Sequence, residues 1–176
     1  MWTTKKAFWN WWNCTALSRF GDWDKAKRLL TNGFNQRMAL AIRKATIKSA
    51  LLLVRAIKRG IRSQAPGGKQ FAPLAQVTTE RKGSSKALID TGFLVNSITQ
   101  KTLSDGAFVG LLRSSISKDG MSVANIGAIM EYGATINHPS GAVIVIPPRP
   151  FLHPTMLKYK DEVIDNYRQA VASVLR

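Results

Sequence analysis

Arg37–Arg62, RMALAIRKATIKSALLLVRAIKRGIR, is the stretch whose periodicity decides the architecture. At about 100° per residue, Met38, Ala41, Ile42, Ala45, Leu52, Leu53 and Ala56 fall on one side of a helix, while Arg37, Lys44, Lys48, Arg55, Arg59 and Arg62 gather within about 60° on another. That is the pattern of a long amphipathic helix laid against a core. Asp22 and Asp24 are candidate N-caps upstream, Gly33 is a candidate break, and Ala65-Pro66-Gly67-Gly68 stops the pattern, so the element runs from about Asp24 to Ser63. No acidic residue lies between Arg37 and Arg62, which leaves the basic stripe without a local partner. It reads either as a solvated face or as a surface for DNA phosphates or an acidic neighbour.

Downstream, residues 64–87 (QAPGGKQFAPLAQVTTERKGSSKA) are rich in Gly, Pro, Ser, Thr and Lys and read as a long loop with at most a short turn of structure. The period then changes. Phe93–Leu103 begins as a helical turn and runs into a strand, Ser104-Asp105-Gly106 is a hairpin turn, and Ala107–Leu112 is the return strand. A second turn at Ser117–Gly120 precedes a further strand at Met121–Ile126, Ala128–Tyr132 is a short element ending at Gly133, and Ala142–Ile146 is a β-branched run. Pro147-Pro148-Arg149-Pro150 fixes an extended exit into an amphipathic helix over Phe151–Leu175. The expected fold is α+β: a long N-terminal helix packed on an antiparallel β-sheet, with a closing C-terminal helix.

Upstream lies a Trp-rich arm. All five tryptophans fall within residues 1–23, and Trp9, Trp12, Ala16, Phe20 and Trp23 are spaced by three and four. The arm either docks on its own domain or anchors on a neighbouring subunit, where Trp is enriched at energetic hot spots; a membrane-surface helix is a third reading. The chain thus divides into an arm, 1–23, and one domain, 24–176.

Twenty-six Lys and Arg against ten Asp and Glu give a net charge of +16, a field that favours anionic partners. The first 64 residues carry fourteen basic and two acidic side chains, the remainder twelve and eight, so the charge sits mainly in the N-terminal third. One cysteine, Cys14, rules out an intrachain disulfide and a Cys-rich zinc site. No stretch reaches the roughly 18–20 apolar residues of a membrane span. His138 and His153 each precede a proline and pair with no second ligand, the carboxylates are scattered apart from Asp161, Glu162 and Asp165, and Gly67-Gly68-Lys69 lacks the spacing of a phosphate loop. No catalytic, cofactor-binding or metal site is expected, and the chain does not read as an enzyme.

Three segments carry a resemblance. Leu88-Ile89-Asp90-Thr91-Gly92-Phe93-Leu94-Val95-Asn96-Ser97-Ile98, then Ile126–Gly133, then Ile146-Pro147-Pro148-Arg149-Pro150-Phe151-Leu152 match in order the "TGxLxxSI", "vG…yA…(E/H)xG" and "iPaRPFl" elements of tailed-bacteriophage tail-completion and virion-morphogenesis proteins. Phe71-Ala72-Pro73-Leu74, Thr78 and Lys82 resemble that family's loop pattern. The resemblance covers residues 65–176; Met130 and the lengthened Asn137–Gly141 loop depart from it, and the Trp arm lies outside it.

The resemblance implies a structural virion protein, a ring-forming head–tail joining or tail-terminator subunit at the neck or top of the tail, assembled in the host cytoplasm. A hexamer is the expected ring. Its partners would be itself, portal, adaptor, stopper or tail-tube proteins, and double-stranded DNA passing without sequence readout, with no membrane. Trp9, Trp12, Trp23, Phe71, Arg149 and Phe151 are the assembly candidates, with the 64–87 loop and the arm supplying contact. The basic stripe then faces either the DNA or an acidic partner ring, the second favoured slightly because strong retention of DNA would hinder ejection. A non-specific basic DNA-binding protein is the alternative of another class.

Overall fold

The computed structural model describes residues 23–31, 33–117, 120–137, 141 and 143–176. Contacts divide the chain into two units, residues 1–37 and 38–176. The first contains α1 (Trp23–Thr31), with Asp24 in its first turn, and the opening residues of α2 (Phe34–Arg62). Gly33 separates the two helices with φ +70°, a left-handed conformation open to glycine without a Cβ penalty. The helix expected over Asp24–Ser63 is therefore two helices with a break at the residue anticipated. Asp22, Trp9 and Trp12 lie outside the described residues.

The second unit is built on the rest of α2, with α3 (Gln76–Lys82), α4 (Phe93–Ser97), β1 (Ile98–Thr102), β2 (Ala107–Leu111), α5 (Val123–Tyr132), β3 (Ala134–Asn137), β4 (Val143–Ile146) and α6 (His153–Leu175). It is an α+β fold in which the long helix packs on an antiparallel two-stranded sheet and the C-terminal helix closes the structure. Ile57 and Ile61 of α2 meet Val95, Ile98, Leu111, Val123 and Phe151 in one buried cluster. Burying such side chains supplies roughly 1.5–3 kcal/mol each.

The buried face of α2 is Ala45, Thr46, Ser49, Ala50, Leu53, Ala56, Ile57, Gly60 and Ile61. This is turned from the side expected: Ile42 remains exposed, and Ile57 and Ile61 enter the core. The reason is that α2 serves two partners. Its C-terminal half covers the sheet, while Thr46 and Ser49 receive hydrogen bonds from Tyr167 Oη (2.9 Å) and Asn166 Nδ2 (3.3 Å) of α6. With α6's N-terminal Pro154 near the turn after α2 and Tyr167 near Thr46, the two helices run antiparallel.

β1 and β2 pair from Ile98↔Leu111 to Thr102↔Ala107, closed by the Leu103 N–H donating to the Gly106 carbonyl at 2.9 Å, as the Ser-Asp-Gly turn predicts. Two expectations fail beyond it. Met121–Ile126 is not a strand; Val123, Gly127 and Glu131, four apart, form the buried face of α5. Short apolar runs do not separate the two periods. Nor do the strands share one sheet: β1–β2 and β3–β4 are two separate two-stranded sheets, and β3 carries little sequence signal because ATIN is only four residues long.

The turn after α2 is wedged against α6. Gly67 has φ +64°, and a Cβ there would collide with the Pro154 carbonyl, whereas Gly68, at φ +91°, has open space around it. Gly67→Ala is expected to destabilise by about 3 kcal/mol, combining left-handed strain with overpacking. Gly68→Ala should cost only the strain, about 1–2 kcal/mol. Urea midpoints of the two variants measure the difference, and equal losses would refute the wedge.

Candidate functional site

The segments singled out in the sequence converge on a buried polar strut. Glu131 sits on the core face of α5, 7% exposed. Its Oε2 accepts the N–H groups of Phe151 (2.8 Å) and Leu152 (3.0 Å), and its Oε1 accepts that of His153 (2.9 Å). These are the two residues leading into α6 and its first residue, at a helix start where orphan N–H groups and the helix dipole both favour a carboxylate. His153 itself is exposed and contributes its backbone.

Next to it, Arg149 is 6% exposed. Its N–H donates to the Met130 carbonyl (2.7 Å), Nε to Ala72 O (2.9 Å) and Nη2 to Pro73 O (2.8 Å). Burial pushes the guanidinium below the ordinary arginine range. The planar fork holds two successive carbonyls of the Phe71–Leu74 segment at once, which an ammonium does not reproduce. Of the two places open to an ordered Arg149 contact, the core or a subunit boundary, these polar partners occupy the first.

The 64–87 segment is more ordered than expected, with a tight 3₁₀ turn at Pro66–Gly68 and the helix α3. Its ends are tied by one side chain: Gln64 Oε1 accepts the Ala87 N–H, and Gln64 Nε2 donates to Ala87 O (3.0 Å) and Ile61 O (2.7 Å). Phe71 is half-buried against the core, and Phe151 is wholly buried, so Phe151 seats α6 and is not available to a neighbour. In α4 it is Val95 that enters the core, while Phe93 is exposed.

No family model, curated protein or solved structure matches the chain.

Between α3, α4, α5 and β4 lies an open groove of about 1030 Å³, lined by Leu74, Phe93, Leu94, Ile126, Met130 and Ile144 among others, with Arg81, Lys82 and Asp90 also bordering it. The β3–β4 hairpin carries an unusual surface: Val143 is 62% and Val145 68% exposed, with Ile136 and Ile144 exposed as well. Tyr132, just before the hairpin, is 81% exposed. Period two places Val143 and Val145 on one face and Ile144 and Ile146 on the other, so β4 is apolar on both faces, with Thr135 and Asn137 of β3 beside Val145 and Val143 on the first and Ala134 and Ile136 beside Ile146 and Ile144 on the second. Trp23, at the start of α1, is exposed. The stripe residues Arg37, Lys44, Lys48, Arg55, Arg59 and Arg62 are all exposed, as their helical angles require.

Among the described residues no group of three or more His, Cys, Asp or Glu side chains is placed to hold a metal ion. No helix among them is long and apolar enough to cross a membrane.

Gln64 carries no local sequence signal of its role, and Glu131 stands in the sequence only as one position of the Ile126–Gly133 motif. An acidic residue continuing the Val123, Gly127 series at a spacing of four is the available signal, legible once that stretch is read as a helix.

Glu131→Ala leaves three N–H groups without their acceptor, and a loss of about 3 kcal/mol or more is expected from thermal or urea unfolding. Arg149→Lys should free the Ala72 and Pro73 carbonyls and speed tryptic cleavage at Arg81 and Lys82 under native conditions. Cleavage at the wild-type rate would remove the clamp from the account.

Proposed function

We propose that this chain is a structural subunit of a tailed-phage particle, a ring-forming tail-completion or neck component that joins head and tail. The observation that carries the reading is the cluster of exposed apolar side chains on the β3–β4 hairpin, Ile136, Val143, Ile144 and Val145, with Tyr132 beside it. A two-stranded hairpin is marginal in water, and exposed apolar clusters mark interaction surfaces. Both strands also have an unpaired edge, a template for strand addition by a neighbour. The resemblance of residues 65–176 supports the same class, and its motif residues Glu131 and Arg149 are spent on holding the subunit together, a scaffold's use of them.

In a cyclic ring the contacts are heterologous: one patch of each subunit meets a different patch of the next. The hairpin is one such patch, and the Trp arm, which lies largely outside the described residues, is a candidate for another. The ring is a hexamer in this reading, with portal, adaptor, stopper or tail-tube proteins above and below it.

Purified protein viewed by negative stain with mass determination should form rings, and antibody against it should label the neck of virions. Val143→Glu combined with Val145→Glu should abolish the rings while changing monomer stability by no more than about 1 kcal/mol, since surface substitutions usually stay within about 0.5 kcal/mol each. A wild-type chain that stays monomeric and is absent from virions would refute the reading. Removing residues 1–23 should weaken rings; rings and tail joining left intact would exclude the arm from assembly.

A further inference from the structure

We infer that the exposed face of α2 is a phosphate-binding track for duplex DNA, engaged without base readout. The inference rests on α2 alone and not on the ring.

Within residues 38–176, Lys44, Lys48, Arg55, Arg59 and Arg62 lie along the side of α2 opposite its buried face, and all five are exposed. None has an ion pair or side-chain hydrogen bond among the described residues. The carboxylates of the antiparallel helix, Asp161, Glu162 and Asp165, do not neutralise them; Asp165 is paired with Arg168 at 2.9 Å. Like charges on one face repel one another, so the arrangement is relieved by an external anion.

The shape of the array selects the anion. At about 1.5 Å per residue the five cations extend over about 27 Å in a line. They fall into two groups, Lys44 with Lys48 and Arg55 with Arg59 and Arg62, separated by a gap of about 10 Å. A duplex presents regular phosphate rows on either side of a major groove about 12 Å wide, which such a line can bridge, one group to each strand. A folded acidic protein offers a patch, with no reason for a straight row. Single-stranded nucleic acid is disfavoured because its binders stack bases on aromatic side chains, and α2 has none beyond Phe34 at its first position. Asn and Gln, the readers of adenine, are absent from the stripe.

Phosphate-only contacts let a protein slide along DNA. This removes the objection that a DNA-facing stripe would arrest the genome.

The test uses the full chain and a fluorescein-labelled 30-base-pair duplex, with anisotropy titrations from 50 to 300 mM NaCl. Three to five engaged phosphates give a slope of log K against log salt of about −3 to −4.5, at about −0.9 per phosphate. Arg55→Ala with Arg59→Ala should make the slope shallower by about 1.8 and weaken binding about tenfold or more at 100 mM. Lys86→Ala with Lys101→Ala, exposed cations elsewhere, removes the same charge and should change neither much. Circular dichroism confirms that both pairs retain their helix. Equal losses in the two pairs would mean that total charge alone attracts DNA, and would overturn the inference. Tighter binding of the single strand would overturn it too. Displacement of the duplex by polyglutamate at equal charge, as effective as by unlabelled duplex, would reassign the face to an acidic protein.

Discussion

Three N–H groups at the start of α6 converge on one buried carboxylate, that of Glu131, and the geometry of the second unit follows from this. A carboxylate removed from water is costly unless its oxygens are hydrogen-bonded, and a helix start has donors that its own backbone cannot satisfy. Each end solves the other's problem. Because Phe151 supplies one of the donors, the same contact that orients α6 also drives an aromatic ring into the core. Because the Arg149 N–H holds the neighbouring Met130 carbonyl, the extended Pro-rich exit is tied to α5 at two successive residues, and its guanidinium carries the connection on to Ala72 and Pro73.

The elements most legible in the sequence were those with a long or strongly marked period. The basic helix, its break at Gly33, the Ser104–Gly106 hairpin and the closing helix were all readable because a repeat of 3.6 or a specific turn dictates them. Val123–Tyr132 was not, since ten residues of mixed β-branched and small side chains satisfy both periods. The buried face of α2 lies about one-sixth of a turn from its apolar side because the helix serves two partners; Thr46 and Ser49 are buried for the sake of α6, and polar residues do not announce burial. The strut was legible only as a motif. Its logic depends on α5 meeting the start of α6, a contact between residues twenty apart that no local pattern encodes.

The surface is organised differently from the interior. Inside, polar groups are matched, and no buried side-chain nitrogen or oxygen among the described residues lacks a partner. Outside, the described residues expose an apolar hairpin and a row of cations. They differ in kind, one suited to non-directional contact that excludes water and the other to long-range attraction that salt screens. A protein with both can therefore respond separately to crowding by its own copies and to ionic strength.

The Gln64 clamp has a consequence for how this chain varies. By holding both the N–H and the carbonyl of Ala87, one side chain turns residues 65–86 into a closed excursion whose base is fixed whatever the excursion contains. Within it, Arg149 pins the Ala72–Pro73 stretch, but Gly83 has no neighbour within 4 Å of where a side chain would begin. Doubling a flexible loop costs only about 0.6 kcal/mol of closure entropy. The Gly83–Ser85 tip is accordingly where related chains can gain or lose length, and where an epitope or fluorophore can be inserted, without the core registering the change.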